Sequence, residues 1–130
     1  MPPTKHWILI IEDEKELCEM LSEELANEGF SVLSSANAME AIRRLKNQQF
    51  ECILLDMHLE GGTGNQVIQA VREDRENMNQ TTPILVVSGQ LTFDLVSKIK
   101  DSVSAVVVKP FDLSALILKV RSLCSLSTDI

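Results

Sequence analysis

The sequence predicts an α/β fold, a parallel sheet of five strands covered by helices on both faces. Three observations lead there. Short apolar runs alternate with amphipathic stretches along the whole chain. The runs at 7–11, 52–55 and 105–108 are apolar throughout, as strands buried on both faces are. Connections are short, which favours right-handed βα units over long excursions.

Trp7-Ile8-Leu9-Ile10-Ile11 reads as the first strand, over about residues 7–12, running into Glu12-Asp13-Glu14. The first helix follows, with Leu17, Cys18, Leu21 and Leu25 on one stripe and Glu16, Glu19, Glu23 and Glu28 on a solvated face. Gly29 suits the position just past its end. Residues 30–35 read as strand two. Asn37 is placed to cap a second helix whose inner stripe is Ala38, Ala41, Ile42 and Leu45. Strand three, Cys52-Ile53-Leu54-Leu55, ends abruptly at Asp56, and a glycine loop, Gly61-Gly62-Thr63-Gly64, leads into a helix marked by Val67, Ile68 and Val71. A polar connection over 74–82 closes at Pro83, and Ile84-Leu85-Val86-Val87 reads as strand four, ending in Ser88-Gly89. The fourth helix carries Leu91, Leu95, Val96 and Ile99. Strand five, 105–108, runs into Lys109-Pro110, and Asp112 caps a last helix with Leu113, Leu116, Ile117, Val120 and Cys124 inward. The tail 125–130 is expected to fray.

With 130 residues, 45% of them hydrophobic, one domain over 1–130 is expected, its core at about 6–124. A net charge of -7 argues against direct contact with nucleic acid, whose phosphates demand a basic patch. Three cysteines without a C-x-x-C argue against a metal cage or disulfide framework, and a reducing cytoplasm is the simplest compartment. The N-terminal apolar run is too short for a signal peptide or membrane span.

In open parallel sheets the ligand site lies beyond the carboxyl ends of the strands. Glu12, Asp13, Asp56 and Lys109 are therefore expected to converge, with Ser88 beside them. Clustered carboxylates repel unless a cation sits among them, and Mg²⁺, a hard ion bound by carboxylates and phosphate oxygens, is the expected one. A carboxylate can also be a nucleophile, and phosphoryl transfer needs mainly positioning and charge compensation.

These residues resemble the receiver domain of two-component response regulators. The marks are Glu12-Asp13, Asp56 at the end of an apolar strand, Ser88-Gly89, and Lys109-Pro110-Phe111, in register over about residues 6–124. The resemblance implies a flavodoxin-like, doubly wound sheet of strand order 2-1-3-4-5. It implies that Asp56 accepts a phosphoryl group from the phosphohistidine of a sensor histidine kinase or phosphotransfer protein. Asp13, Asp56 and the backbone carbonyl of His58 would be direct Mg²⁺ ligands, with Glu12 acting through water. Ser88 would be the switch hydroxyl, Lys109 would pair with the phosphate, and the Lys109–Pro110 bond would be cis. The chain would be a signalling switch, catalysing only its own phosphotransfer and dephosphorylation. Output would pass to a protein target through the face of helix 4, strand 5 and helix 5, or lie in a part of a longer parent chain.

Three positions depart from the family pattern. Glu60 stands where a proline is common, which predicts a more mobile, more acidic loop before helix three. His58 occupies a position that tunes phosphoryl lifetime. Val106 replaces the aromatic residue of the usual switch, which predicts a smaller or differently routed shift. A degenerate receiver acting only as an interaction module is the alternative. A phosphatase of the haloacid-dehalogenase type is a further rival, but it wants an acid where His58 stands.

Overall fold

The computed structural model describes residues 5–124. Strands and helices alternate: β1 (Trp7–Ile11), α1 (Lys15–Asn27), β2 (Ser31–Ser35), α2 (Ala38–Asn47), β3 (Cys52–Leu55), α3 (Gly64–Arg72), β4 (Ile84–Ser88), α4 (Phe93–Ile99), β5 (Ala105–Val108) and α5 (Leu113–Cys124). The five strands form one parallel sheet in the order β2-β1-β3-β4-β5, as the resemblance implied. The tail from Ser125, expected to fray, lies outside the described residues.

Alternation along the strands divides the core into two layers, because successive side chains point to opposite faces. Leu9, Ile11, Ile53, Leu55, Ile84 and Val86 meet the buried stripes of α2 and α3 and Ile99 of α4. Ile8, Ile10, Leu54, Leu85 and Val87 meet Leu21 and Leu25 of α1 and Leu116, Ile117 and Val120 of α5. Helix ends follow local chemistry. Gly29 adopts φ +99° after α1, and Asn37 Oδ1 accepts the Glu40 N–H at 2.8 Å. Asp112 Oδ1 accepts the Ser114 N–H at 3.3 Å.

Two expectations need correction. β5 is not buried on both faces: its residues are half-buried and Val108 is 56% exposed. As an edge strand it lacks a neighbour on one side, and apolar composition alone does not distinguish that. In α4 only Ile99 is fully buried, Leu95 and Val96 being half-buried, and Leu91, expected in this helix, lies half-buried in the loop before it. The glycine loop carries local pairing that its composition does not show. His58–Leu59 pairs antiparallel with Gly62–Thr63 as a two-residue ribbon, with Gly61 at φ +72° in the turn and Glu60 bridged to Asn37. Thr63 and Gln66 then close a reciprocal capping box that starts α3.

The polar connection after α3 is a buried hydrogen-bond hub. Asn79, fully buried, donates to the carbonyls of Leu45 and Gln48 (both 2.8 Å) and accepts from Phe50 N–H (2.8 Å) and Thr82 Oγ1 (3.1 Å). Arg72 donates to the carbonyls of Ser102, Asn79, Gln80 and Thr82 at 2.6–3.3 Å, so a guanidinium with no acid partner among the described residues ties α3 to two loops.

Candidate functional site

Strand register builds the site. Ile11 is paired with Leu55, Leu55 with Val86, and Ser88 with Val108, so neighbouring strands end almost level. The residues that follow, Glu12, Asp56 and Lys109, leave the sheet side by side. Their backbones are pinned as they leave: Glu12 N–H donates to Ser35 O, Asp56 N–H to Ile11 O, and Lys109 N–H to Ser88 O, all at 3.0 Å. The Lys109–Pro110 bond is cis, as the resemblance implied.

The ammonium of Lys109 donates to Glu12 Oε1 at 2.7 Å and to Asp56 Oδ2 at 3.2 Å, and lies 3.8 Å from Glu14 Oε2. Glu12 and Asp56 are buried, 5% and 7% exposed, whereas Asp13 and Glu14 face solvent. Oxygens of Glu12, Asp13 and Asp56 all lie within 4.8 Å of one another, the spacing of ligands around one cation. The other Asp56 oxygen, Oδ1, accepts the His58 N–H at 3.1 Å, and Glu12 Oε2 accepts the Glu14 N–H at 3.2 Å. Ser88 is fully buried and its Oγ accepts the Gln90 N–H at 3.4 Å.

Burial dominates the electrostatics of Glu12. It pushes the carboxyl up from 4.5 to about 7, against the pull of Lys109 and the Glu14 N–H, and the charge of Asp56 adds to the rise. Burial pulls the Lys109 ammonium the opposite way, but its bonds to Glu12 and Asp56 outweigh that and hold it above its ordinary value.

A close approach fixes the loop that follows Asp56. A Cβ on Gly64 would stand 2.7 Å from Met57 Sδ, 2.8 Å from Met57 Cα and 3.0 Å from the Asp56 carbonyl oxygen. Only glycine lets the first turn of α3 lie against the residue that follows Asp56.

Glu12, Asp13, Asp56 and Lys109 therefore come together at one mouth, while the Ser88 hydroxyl contacts only the Gln90 N–H among the described residues. Glu14 was not anticipated as a neighbour of Lys109; the acidic triplet 12–14 was its only signal in the sequence. Val106, half-buried, packs against the α2–α3–α4 layer.

Residues 8–121 match the response regulator receiver domain. The chain belongs to that family. Among relatives of this receiver, the response regulator ArlR of Staphylococcus saprophyticus is 29% identical over 89% of this chain and 51% of its own. ArlR of Staphylococcus aureus is 27% identical over the same shares. The receiver thus spans about half the length of the curated relatives it matches. Among solved structures, a two-component response regulator from Clostridium difficile superposes with a TM-score of 0.85 at 24% identity, covering 96% of this chain and all of the other. The phosphorylated cyanobacterial phytochrome response regulator RcpA superposes at 0.80 with 25% identity, covering 98% of each. Among the described residues, no helix is long and apolar enough to cross a membrane.

Proposed function

We propose that this receiver is a phosphorylation-controlled switch whose acceptor is Asp56. The observation that carries the reading is the convergence of Lys109 on Asp56 and Glu12 beside a third acid, Asp13. In the transfer, Asp56 Oδ attacks the phosphorus of a phosphohistidine on a histidine kinase or phosphotransfer protein; the P–O bond forms as the P–N bond breaks, and the imidazole leaves. Lys109 would balance the charge on the equatorial oxygens, and the Ser88 hydroxyl, at the buried end of β4, would turn toward the phosphate.

The three carboxylates form an all-oxygen donor set, which suits Mg²⁺ better than softer ions. Asp13 and Asp56, with the His58 carbonyl, are the residues to hold it, and Glu12 would act through water. When bound, the ion supplies charge compensation for the transferring phosphoryl group.

A phosphoryl group adds a charge of about -2 at Asp56 and rewards a state in which Lys109 and Ser88 both face it. Lys109 begins the turn from β5 to α5, so its movement bears on the face formed by α4, β5 and α5. α4 and β5 contribute Phe93 and Val108, 87% and 56% exposed, and the face is the surface we assign to the downstream protein. We read residues 6–124 as a single receiver unit acting in the cytoplasm, a switch and not a turnover enzyme. With half-buried Val106 in place of an aromatic, the shift is expected to be smaller or differently routed.

The deciding experiment is intact mass after incubation with acetyl phosphate and Mg²⁺. The native chain is expected to gain one phosphate and Asp56→Asn none. Equal labelling of both would refute Asp56 as the acceptor, and no label in either while a control receiver is labelled would favour a degenerate, phosphorylation-independent interaction module.

A further inference from the structure

Gly62 sits closer to α2 than any side chain would allow. A Cβ on it would stand 2.7 Å from the Ala38 Cβ and 2.6 Å from Gln66 Oε1, both well inside van der Waals contact. Its φ lies outside the left-handed region, so glycine is required here for space and not for backbone conformation. Ala38, fully buried, is the first residue of α2. A second contact seats the same ribbon on the same helix start: Glu60 is bridged to Asn37, and Asn37 is itself fixed by accepting the Glu40 N–H at 2.8 Å.

The other strand of the ribbon leads back to Asp56. Leu59 pairs with Gly62 and is buried in the α2–α3 layer. His58 pairs with Thr63, and its N–H donates to Asp56 Oδ1 at 3.1 Å. The Thr63 N–H is held in turn by Gln66 Oε1 at 3.0 Å. The His58 side chain is exposed, so what the ribbon positions is the His58 backbone. Every residue of so short a ribbon is paired across the turn, and a shift at Gly62 therefore reaches His58.

We propose that Gly62 and Ala38 are positioning residues for the acceptor site, their close contact fixing where the His58 N–H and carbonyl lie beside Asp56. The proposal rests on the reading of Asp56 as the acceptor and of the His58 carbonyl as an Mg²⁺ ligand. The acid cluster draws no side chain from α2. Through this seat the start of α2 nonetheless shapes the backbone that faces the cation and the Asp56 carboxylate. A methyl added at Gly62 pushes the ribbon off the helix, and a methyl removed at Ala38 leaves it unsupported; either change loosens His58 against Asp56.

The test exchanges the two residues in the full chain. Gly62→Ala drives a methyl into Ala38, Ala38→Gly removes the seat, and the two together return the single methyl from the ribbon side. The exposed Gln66 amide, at the end of a flexible side chain, can turn away from the new methyl. Two readouts are followed: the His58 amide proton by NMR in EDTA, which needs no metal, and Mg²⁺ affinity by calorimetry. Each single variant is expected to move the His58 resonance upfield, as its bond to Asp56 lengthens, and to weaken Mg²⁺ binding about tenfold, the scale on which outer-shell partners act. The exchanged pair should return both to near native values, although glycine in α2 leaves it less stable to urea than the native chain. A merely structural role would make affinity follow stability instead. The exchanged pair carries no clash, so it and Ala38→Gly keep the comparison open should Gly62→Ala misfold. A His58 amide unmoved in the single variants, or losses that Gln66→Ala repairs and the exchanged pair does not, would overturn the proposal. Absence of Mg²⁺ binding by the native chain would undo the metal reading alone, and the His58 amide would still decide the role of the seat.

Discussion

Glu12 carries the largest electrostatic consequence of the site, and Glu12→Gln exposes it. In the unfolded chain its carboxyl ionises near 4.5; in the folded, metal-free protein burial delays ionisation to about 7. Between those values the unfolded state has shed a proton that the folded state keeps, so stability falls as pH rises. The contribution is fully present below 4.5 and fully lost above about 7. At about 1.36 kcal/mol per pH unit the span amounts to about 3 kcal/mol, reduced to the extent that Lys109 draws Glu12 into its charged form. Glutamine keeps the size and removes the titration. Urea unfolding in EDTA at intervals from pH 4 to 8 should show the native-minus-variant stability declining by roughly 2–3 kcal/mol across that window. Carboxylates distant from the mouth cancel in the difference. A flat difference, or one that grows with pH, would mean that Glu12 is already ionised beside Lys109 and would refute the reasoning.

Other substitutions test the scaffold. Gly64→Ala forces a Cβ into the backbone at Met57 and the Asp56 carbonyl; a loss of about 1–3 kcal/mol in chemical denaturation is expected, with slower phosphate uptake followed by intact mass. Asn79→Ala leaves the buried Phe50 N–H and two carbonyls short of partners, and a loss on the order of 3 kcal/mol is expected by the same denaturation assay. Leu54→Ala empties a 2%-exposed site against α1 and α5; it should cost about 2–5 kcal/mol while leaving the phosphorylated fraction of the remaining folded protein unchanged.

Much of this was legible in the residues because parallel strands are buried on both faces and their ends are chemically abrupt. Cys52–Leu55 is apolar without interruption, so Asp56 marks its own strand end, and the same logic places Glu12 and Lys109. Once the strands are parallel and neighbouring, register brings the three together without further information. The features that escaped the sequence depend on contacts between distant segments. Glu14 meets Lys109 only because the start of α1, which Glu14 precedes, and the end of β5 share one mouth. Asn79 reads as loop composition, and nothing local shows that α2 and β3 will close over it. Val108 reads as core because an edge strand and a central strand share one composition; only the missing neighbour exposes it.

The charge balance of the mouth leads to a measurement that needs no phosphoryl donor. Four carboxylates, Glu12, Asp13, Glu14 and Asp56, surround one ammonium, and Lys109 can neutralise only one of them. Holding Glu12 partly protonated relieves this excess, and at pH 7, close to its pKa of about 7, about half the molecules should carry that proton. A divalent cation among Glu12, Asp13 and Asp56 relieves the same excess, so proton and cation compete. Binding of Mg²⁺ at pH 7 should therefore release roughly half a proton per site, less at pH 8.5, where Glu12 is already ionised. Calorimetric titration of Mg²⁺ in buffers of different ionisation enthalpy reads that number directly. Glu12→Gln should bind the ion without proton release. Binding at pH 7 with no proton released by the native chain would show that Glu12 is charged before the cation arrives, and that Lys109 alone sets the electrostatics of the acceptor.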